Sequence, residues 1–122
     1  MKSILIADDS STSRQAIAYS LKKIGFSVSE ACNGEDALNT AQKNRHDLVI
    51  TDLYMPVMDG LTLVKKLRKL PSYKYTPILF LTTENLTKFQ VEGKAAGASG
   101  WIVKPFIPNH HVQAICKFLD RV

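Results

Sequence analysis

The sequence lacks several features that would assign a chain to a familiar class. No apolar run among its 122 residues approaches the length of a membrane-spanning helix, and the run before Asp8 is too short for a signal peptide. The two cysteines, Cys32 and Cys116, have no metal-ligand spacing, so we expect buried free thiols. No low-complexity tract or repeat interrupts the chain. These absences favour a single domain, residues 1–122, that is cytoplasmic and has no membrane partner.

The charge balance is basic. A net charge of +5 favours acidic partners, and the densest basic cluster lies on and just after one predicted helix. This cluster comprises Lys65, Lys66, Arg68, Lys69 and Lys74. No helix-turn-helix, zinc-finger or RNA-binding signature accompanies it. We therefore interpret the cluster as a solvated helix face and expect no nucleic-acid partner.

Short apolar runs alternate five times with amphipathic segments, which is the pattern of a parallel sheet covered by helices on both faces. The runs span residues 4–7, 27–31, 48–51, 78–81 and 101–103. The first helix is predicted over residues 12–24, with a capping box from Thr12 to Gln15 and a buried face that includes Ile24. The pattern predicts an α/β fold of five strand–helix repeats.

Polar side chains end four of these runs: Asp8 and Asp9 the first, Asp52 the third, Thr82 the fourth and Lys104 the fifth. Asp is rare inside strands, and ligands bind outside the carboxyl ends of parallel strands, so we expect these side chains to converge. Each has a plainer explanation when taken alone, since Asp8 and Asp9 would favour a helix N-terminus and Lys104 could be a solvated cation. The five together favour a functional site.

Clustered carboxylates repel one another unless a cation intervenes, and an oxygen-only ligand set favours Mg2+. Zinc would require Cys or His, but the three histidines fall elsewhere and are interpreted as surface residues: His46, His110 and His111. A metal, a carboxylate, a hydroxyl and a lysine are together what phosphoryl transfer to an aspartate needs. Asp52 is the candidate nucleophile because it stands alone at its strand end, with Thr82 and Lys104 contacting phosphoryl oxygens.

These five residues lie in motifs that are similar to those of the receiver domain of two-component response regulators. Met55-Pro56 and Asp59-Gly60 follow Asp52, and Lys104-Pro105-Phe106 follows the fifth run. The resemblance covers essentially the whole chain. It implies a flavodoxin-like, doubly wound five-stranded parallel sheet of order 2-1-3-4-5 with five helices on both faces.

The resemblance also implies residue roles. Asp52 would accept a phosphoryl group from a histidine kinase, and Mg2+ would be bound by Asp9, Asp52 and the backbone carbonyl of Tyr54, with Asp8 assisting through water. The Lys104–Pro105 peptide bond would be cis, as is typical of the family.

A conformational switch through Thr82 and Trp101 is implied as well. Trp101 departs from the Tyr or Phe that is common at this position, and Thr83 stands where the family usually has a smaller residue. Tyr54, Thr83 and Glu84 would control access to the phosphoryl group and so the lifetime of the phosphorylated state.

Among receiver domains, residues 92–106 look most like those of stand-alone chemotaxis regulators. This similarity implies a CheA-type histidine kinase, the flagellar motor switch or another protein target, a phosphatase as a further candidate partner, and a monomer. The chain would not be an enzyme beyond autophosphorylation from small donors and self-dephosphorylation. The alternative is a phosphorelay intermediate or phosphate sink that passes the group to a histidine phosphotransfer protein.

Two other classes fit less well. A phosphohydrolase of the haloacid dehalogenase type would begin with Asp-x-Asp after its first strand, whereas this chain has Asp8-Asp9-Ser10. A scaffold that never takes phosphate is disfavoured because no member of the five-residue set is missing.

Overall fold

Strands and helices alternate along the chain. The structure, a computed structural model, describes residues 2–82 and 86–120, without the side chains of residues 86–90 and 120. The elements are β1 (Ser3–Ala7), α1 (Ser11–Ile24), β2 (Ser27–Ala31), α2 (Gly34–Lys43), β3 (Leu48–Asp52), α3 (Gly60–Arg68), a 3-10 turn (Pro71–Tyr73), β4 (Ile78–Thr82), α4 (Leu86–Ala96), β5 (Gly100–Val103) and α5 (Pro108–Asp120). None of the helices among these residues is long and apolar enough to cross a membrane.

The five strands form one parallel sheet of order β2-β1-β3-β4-β5. This arrangement confirms the flavodoxin-like order 2-1-3-4-5 that the resemblance implied. Ala7 of β1 is in register with Thr51 of β3, and Asp52 is in register with Leu81 of β4. The carboxyl ends of β1, β3 and β4 therefore lie side by side at one edge of the sheet.

The sheet separates two apolar cores, because alternate side chains of a strand point to opposite faces. On one face Ile6 and Ile50 pack with Ile17 of α1 and Ile115 of α5. The opposite face packs against residues of three helices: Ala37 and Ala41 of α2, Leu63 and Val64 of α3, and Ala96 of α4. Burial on both faces explains why the strands read as continuous apolar runs, and it confirms the helices on both sides.

Two details of the first helix differ from the prediction. The helix begins at Ser11, and the side chain of Ser10 accepts a hydrogen bond from the Ser13 backbone N–H at 3.3 Å, so the capping box from Thr12 to Gln15 is wrong. Ile24, predicted to be buried, is 51% exposed. It lies in the last turn and lines an open groove between α1 and α5 that no other element covers among the described residues.

His46 and Cys32 also differ from the prediction. His46 is buried, with 2% of its surface exposed. Its Nδ1 lies 3.2 Å from the Tyr73 hydroxyl, and its Nε2 lies 3.0 Å from the Ser29 hydroxyl. Both polar ring atoms are thereby paired, which makes burial tolerable. Cys32, which follows β2 directly, is exposed, and Cys116 is half-buried; both are free thiols.

Arg68 does not belong to the solvated basic face in which the sequence placed it. Its Nε donates to the carbonyl of Gly97 at 2.9 Å, and its Nη1 donates to the carbonyls of Tyr73 and Thr76 at 2.7 and 2.6 Å. Burial lowers the pKa of the Arg68 guanidinium. Arg68 therefore ties α3 to the end of α4 and to the segment before β4, while the four lysines of the cluster are exposed.

Candidate functional site

The cleft at the carboxyl ends of the strands brings together Asp8, Asp52 and Lys104. The ammonium of Lys104 lies 3.0 Å from Asp52 Oδ2 and 3.3 Å from Asp8 Oδ2. The Lys104 backbone N–H donates to the Thr82 carbonyl at 2.9 Å, which extends the pairing of β4 with β5 by one residue and carries the lysine to the cleft. The Lys104–Pro105 peptide bond is cis, as the resemblance implied.

Asp8 is fully buried. Its Oδ1 accepts a hydrogen bond from the Ser10 backbone N–H at 3.0 Å. Its Oδ2 accepts no hydrogen bond from the described residues, so its approach to Lys104 is a contact of opposite charges without hydrogen-bond geometry. A buried carboxylate oxygen that has only this ion-pair contact can also face a bound cation.

Asp52 and Asp8 share a single ammonium, that of Lys104. Burial raises the pKa of the Asp52 carboxyl, and the charge of Asp8 raises it further, while Lys104 opposes both effects without cancelling them. For Lys104, burial lowers the pKa, but the two carboxylates raise it more, so the amine is held above its ordinary value. One cation facing two anions is therefore well stabilised, whereas Asp52 is incompletely neutralised.

Asp9 completes a group of three carboxylates. Asp8, Asp9 and Asp52 each offer an oxygen atom, and these oxygens lie within 4.8 Å of one another. Asp9 is exposed at the mouth of the cleft. Since Lys104 is the one ammonium in contact with this group among the described residues, two negative charges are left, which fits a hard divalent cation bound through oxygen.

The loop after Asp52 is tightly folded. A side chain at Gly60 would collide with the backbone carbonyl of Asp52 and would lie 3.0 Å from Phe80 Cε1, so this position has room for glycine alone. Val57 has a φ of 70°, and the Met58 N–H donates to the carbonyl two residues before it at 2.7 Å, which is the geometry of a strained γ-turn. The loop thereby holds Asp52 and the residues after it in a defined position.

The two residues implied in the switch lie on neighbouring strands: Thr82 ends β4, and Trp101 is the second residue of β5, in register with Phe80. Thr82 is 2% exposed. Trp101 is half-buried against Phe80, with ring centroids 6.2 Å apart and planes tilted by 39°. A Cβ at Gly93 of α4 would lie only 2.7 Å from Trp101 Cζ2. The indole thus occupies space that the missing side chain of Gly93 leaves open.

The residues expected to control access are only partly described. The side chain of Tyr54, two residues after Asp52, is 55% exposed. Thr83 and Glu84 lie outside the described residues.

Sequence reasoning assigned no role in shaping the site to three residues, although Gly60 belongs to a motif that carried the resemblance. Gly60 and Gly93 allow close approaches, and Arg14 donates to the backbone carbonyl of Asp8 at 2.8 Å. Asp59-Gly60 before an apolar helix was the available signal for Gly60, since Asp59 caps α3 by accepting from the Thr62 N–H at 2.8 Å. The other two contacts join separate elements, so no local pattern indicates them.

Comparison with known proteins agrees with this geometry. The response regulator receiver domain family matches residues 4–116. The structure of the chemotaxis protein CheY4 of Vibrio cholerae is 44% identical, with a TM-score of 0.94, over 97% of this chain and 98% of that one. The transcriptional regulatory protein SrrA of Staphylococcus aureus and the probable transcriptional regulator ycf29 of Porphyra purpurea are 37% and 35% identical over 118 residues, which is 97% of this chain. The chain spans about half the length of these curated relatives, 48% and 56%.

Proposed function

The chain belongs to the response regulator receiver domain family, and from this premise we propose that it is a switch in which Asp52 accepts a phosphoryl group from a histidine kinase. The observation that carries the proposal is the contact of the Lys104 ammonium with both Asp52 and Asp8 at the carboxyl ends of the strands. We further propose that residues 1–122 form a single domain that acts as a monomer in the cytoplasm.

The proposed chemistry is transfer of a phosphoryl group to a carboxylate. One carboxylate oxygen of Asp52 forms a bond to phosphorus, while the bond from phosphorus to the donor breaks and the donor leaves with the electron pair. The donor atom is the imidazole nitrogen of a phosphohistidine or the acyl oxygen of acetyl phosphate. Lys104 pairs with one phosphoryl oxygen, and the Thr82 hydroxyl donates a hydrogen bond to another.

Mg2+ is the proposed cofactor, which would be held by Asp9, Asp52 and the backbone carbonyl of Tyr54, with Asp8 assisting through water. When bound, it supplies positive charge that neutralises the phosphoryl oxygens as charge builds on them. Asp8 Oδ2 supports this assignment, because it is buried and accepts no hydrogen bond from the described residues. Asp8 also contacts Lys104, so it helps to position the ammonium that pairs with a phosphoryl oxygen.

The output is a shift between two packings of the domain. Thr82 moves toward the phosphoryl oxygens, and Trp101 changes its position against Phe80 and Gly93, which alters the surface of α4 and β5. Tyr54, Thr83 and Glu84 flank the access route to Asp52 and set how long the phosphorylated state survives.

The intact mass of the protein after incubation with acetyl phosphate tests the proposal. We expect one added phosphoryl group in the presence of Mg2+, none with a chelator, and none in Asp52→Asn. Asp59→Asn is the matched control, since Asn caps a helix as well as Asp does and Asp59 serves as the cap of α3. A phosphoryl group on Asp52→Asn, or none on the unsubstituted protein, would contradict the proposal.

For the partners, we propose a CheA-type kinase and a flagellar motor switch protein as the target. The 44% identity to CheY4 supports this choice over a role in transcription. Binding of the phosphorylated protein to a motor-switch peptide, tighter than binding of the unphosphorylated protein, would support it. Transfer of the group from Asp52 to a histidine phosphotransfer protein, without peptide binding, would instead favour the phosphorelay alternative.

A further inference from the structure

Arg14 of α1 connects two strands next to the acidic cleft. Its Nη1 donates to the backbone carbonyl of Asp8 at 2.8 Å, and its Nε lies 3.2 Å from Glu30 Oε1 on β2. The side chains of Arg14 and Glu30 are 16% and 30% exposed. The guanidinium is planar, so pairing with Glu30 fixes the direction in which the other N–H groups point.

Together these contacts hold the Asp8 peptide on both sides. The Asp8 N–H donates to the Ala31 carbonyl of β2 at 3.1 Å, and the Asp8 carbonyl accepts from Arg14. The Asp8 Oδ1 is held by the Ser10 N–H, so the backbone and one carboxylate oxygen are both fixed. The remaining oxygen, Oδ2, is thereby aimed at the cleft, where it meets Lys104.

We propose that Arg14 is a positioning residue for the cation site, acting through Asp8, and that Glu30 orients Arg14. The inference rests on the proposed function, because it concerns the Mg2+ that Asp8, Asp9 and Asp52 would hold. Arg14 does not touch the cation. It fixes the Asp8 backbone, and with it the peptide that leads to Asp9, before the cation arrives, so less ordering is needed on binding.

Removal of a group that orients a ligand residue costs roughly 10–100-fold in metal affinity. For Arg14→Met, which keeps an unbranched apolar side chain but removes the N–H groups, we expect Mg2+ binding measured by calorimetry to weaken by ~10-fold. Arg14→Lys retains a donor that can reach one of the two partners and should restore part of the affinity. Glu30→Gln keeps an acceptor without the charge and should weaken binding in the same direction by a smaller factor.

The dependence of phosphorylation on Mg2+ separates positioning from a purely structural role. With acetyl phosphate as donor, Arg14→Met should raise the Mg2+ concentration for half-maximal rate, while the rate at saturating Mg2+ stays near that of the unsubstituted protein. Loss of fold stability alone would lower the maximal rate and leave the half-maximal concentration unchanged. Arg45→Met is the matched control, because Arg45 pairs with Asp47 at 3.0 Å on the surface, away from the cleft.

Equal Mg2+ affinity in Arg14→Met, Arg45→Met and the unsubstituted protein would overturn the inference while leaving the proposed function intact. If Arg14→Met does not fold, Glu30→Gln and Arg14→Lys provide the same test. Unchanged Mg2+ affinity in both of these variants would also overturn the inference. Absence of Mg2+ binding and of phosphorylation in the unsubstituted protein would overturn both the inference and the proposed function.

Discussion

Removal of the Tyr73 hydroxyl should destabilise the domain strongly. Tyr73 is fully buried, and its oxygen lies 2.9 Å from the Ala41 carbonyl and 2.8 Å from the Asn44 carbonyl. The same oxygen accepts a hydrogen bond from the His46 backbone N–H at 3.1 Å and lies 3.2 Å from His46 Nδ1. One hydroxyl therefore joins the end of α2, the loop before β3 and the 3-10 turn.

The magnitude follows from the groups that lose their partner in Tyr73→Phe. A hydroxyl has one proton, so it donates to one carbonyl at a time, and that bond contributes about 1 kcal/mol. The His46 N–H is left buried without this acceptor, at a cost of about 1–3 kcal/mol. We expect the free energy of unfolding to fall by about 2–4 kcal/mol, a large part of the stability of a domain of this size.

Tyr75→Phe is the matched control, since Tyr75 is 85% exposed two residues away and its loss of a hydroxyl should change stability by less than about 0.5 kcal/mol. Urea unfolding followed by circular dichroism measures both variants. A lower midpoint with an unchanged slope in Tyr73→Phe would support the reasoning, because the slope reports exposed surface. Equal midpoints for the two variants would refute it.

Three further predictions concern His46, Asp52 and Gly93. Burial lowers the pKa of His46, so as the pH drops below about 6.5 the unfolded chain binds a proton on this residue before the folded chain does, and the free energy of unfolding falls. His46→Gln should reduce this fall in a pH series of urea melts, and an unchanged dependence on pH would argue against the explanation. Burial and Asp8 raise the pKa of Asp52, so its ionised form opposes folding at neutral pH; Asp52→Asn should therefore raise the melting temperature, and a lower temperature would contradict this. Gly93→Ala places a methyl 2.7 Å from Trp101 Cζ2 and should displace the indole toward water, so the fluorescence emission of this single tryptophan should shift to longer wavelength. An unchanged spectrum would show that the space left open at Gly93 does not determine the position of the indole.

The convergence of Asp8, Asp52 and Lys104 was predictable from sequence because each ends an apolar run, and parallel strands place such ends together. Local residue types and their spacing carry that information. The burial of His46 was not predictable in this way. Its partners Tyr73 and Ser29 lie 27 and 17 residues away, and only the folded chain brings their hydroxyls to the ring.

Arg68 and Trp101 show the same limit. A run of basic residues on a helix is usually solvated, but Arg68 meets carbonyls at the end of α4 and before β4. The size of Trp101 raised the question of how an indole fits in place of a smaller ring. The answer depends on Gly93, which belongs to a different element, so no local pattern around Trp101 indicates it.

The location of the acquired phosphoryl group tests the central claim most directly. Borohydride reduces an acyl phosphate to an alcohol, so treatment after incubation with acetyl phosphate and Mg2+ marks the modified aspartate for tandem mass spectrometry. The proposed function predicts a mark on Asp52 alone, and none when Mg2+ is withheld. A mark on Asp8, Asp9 or any other carboxylate, or none on Asp52 in the presence of Mg2+, would contradict it.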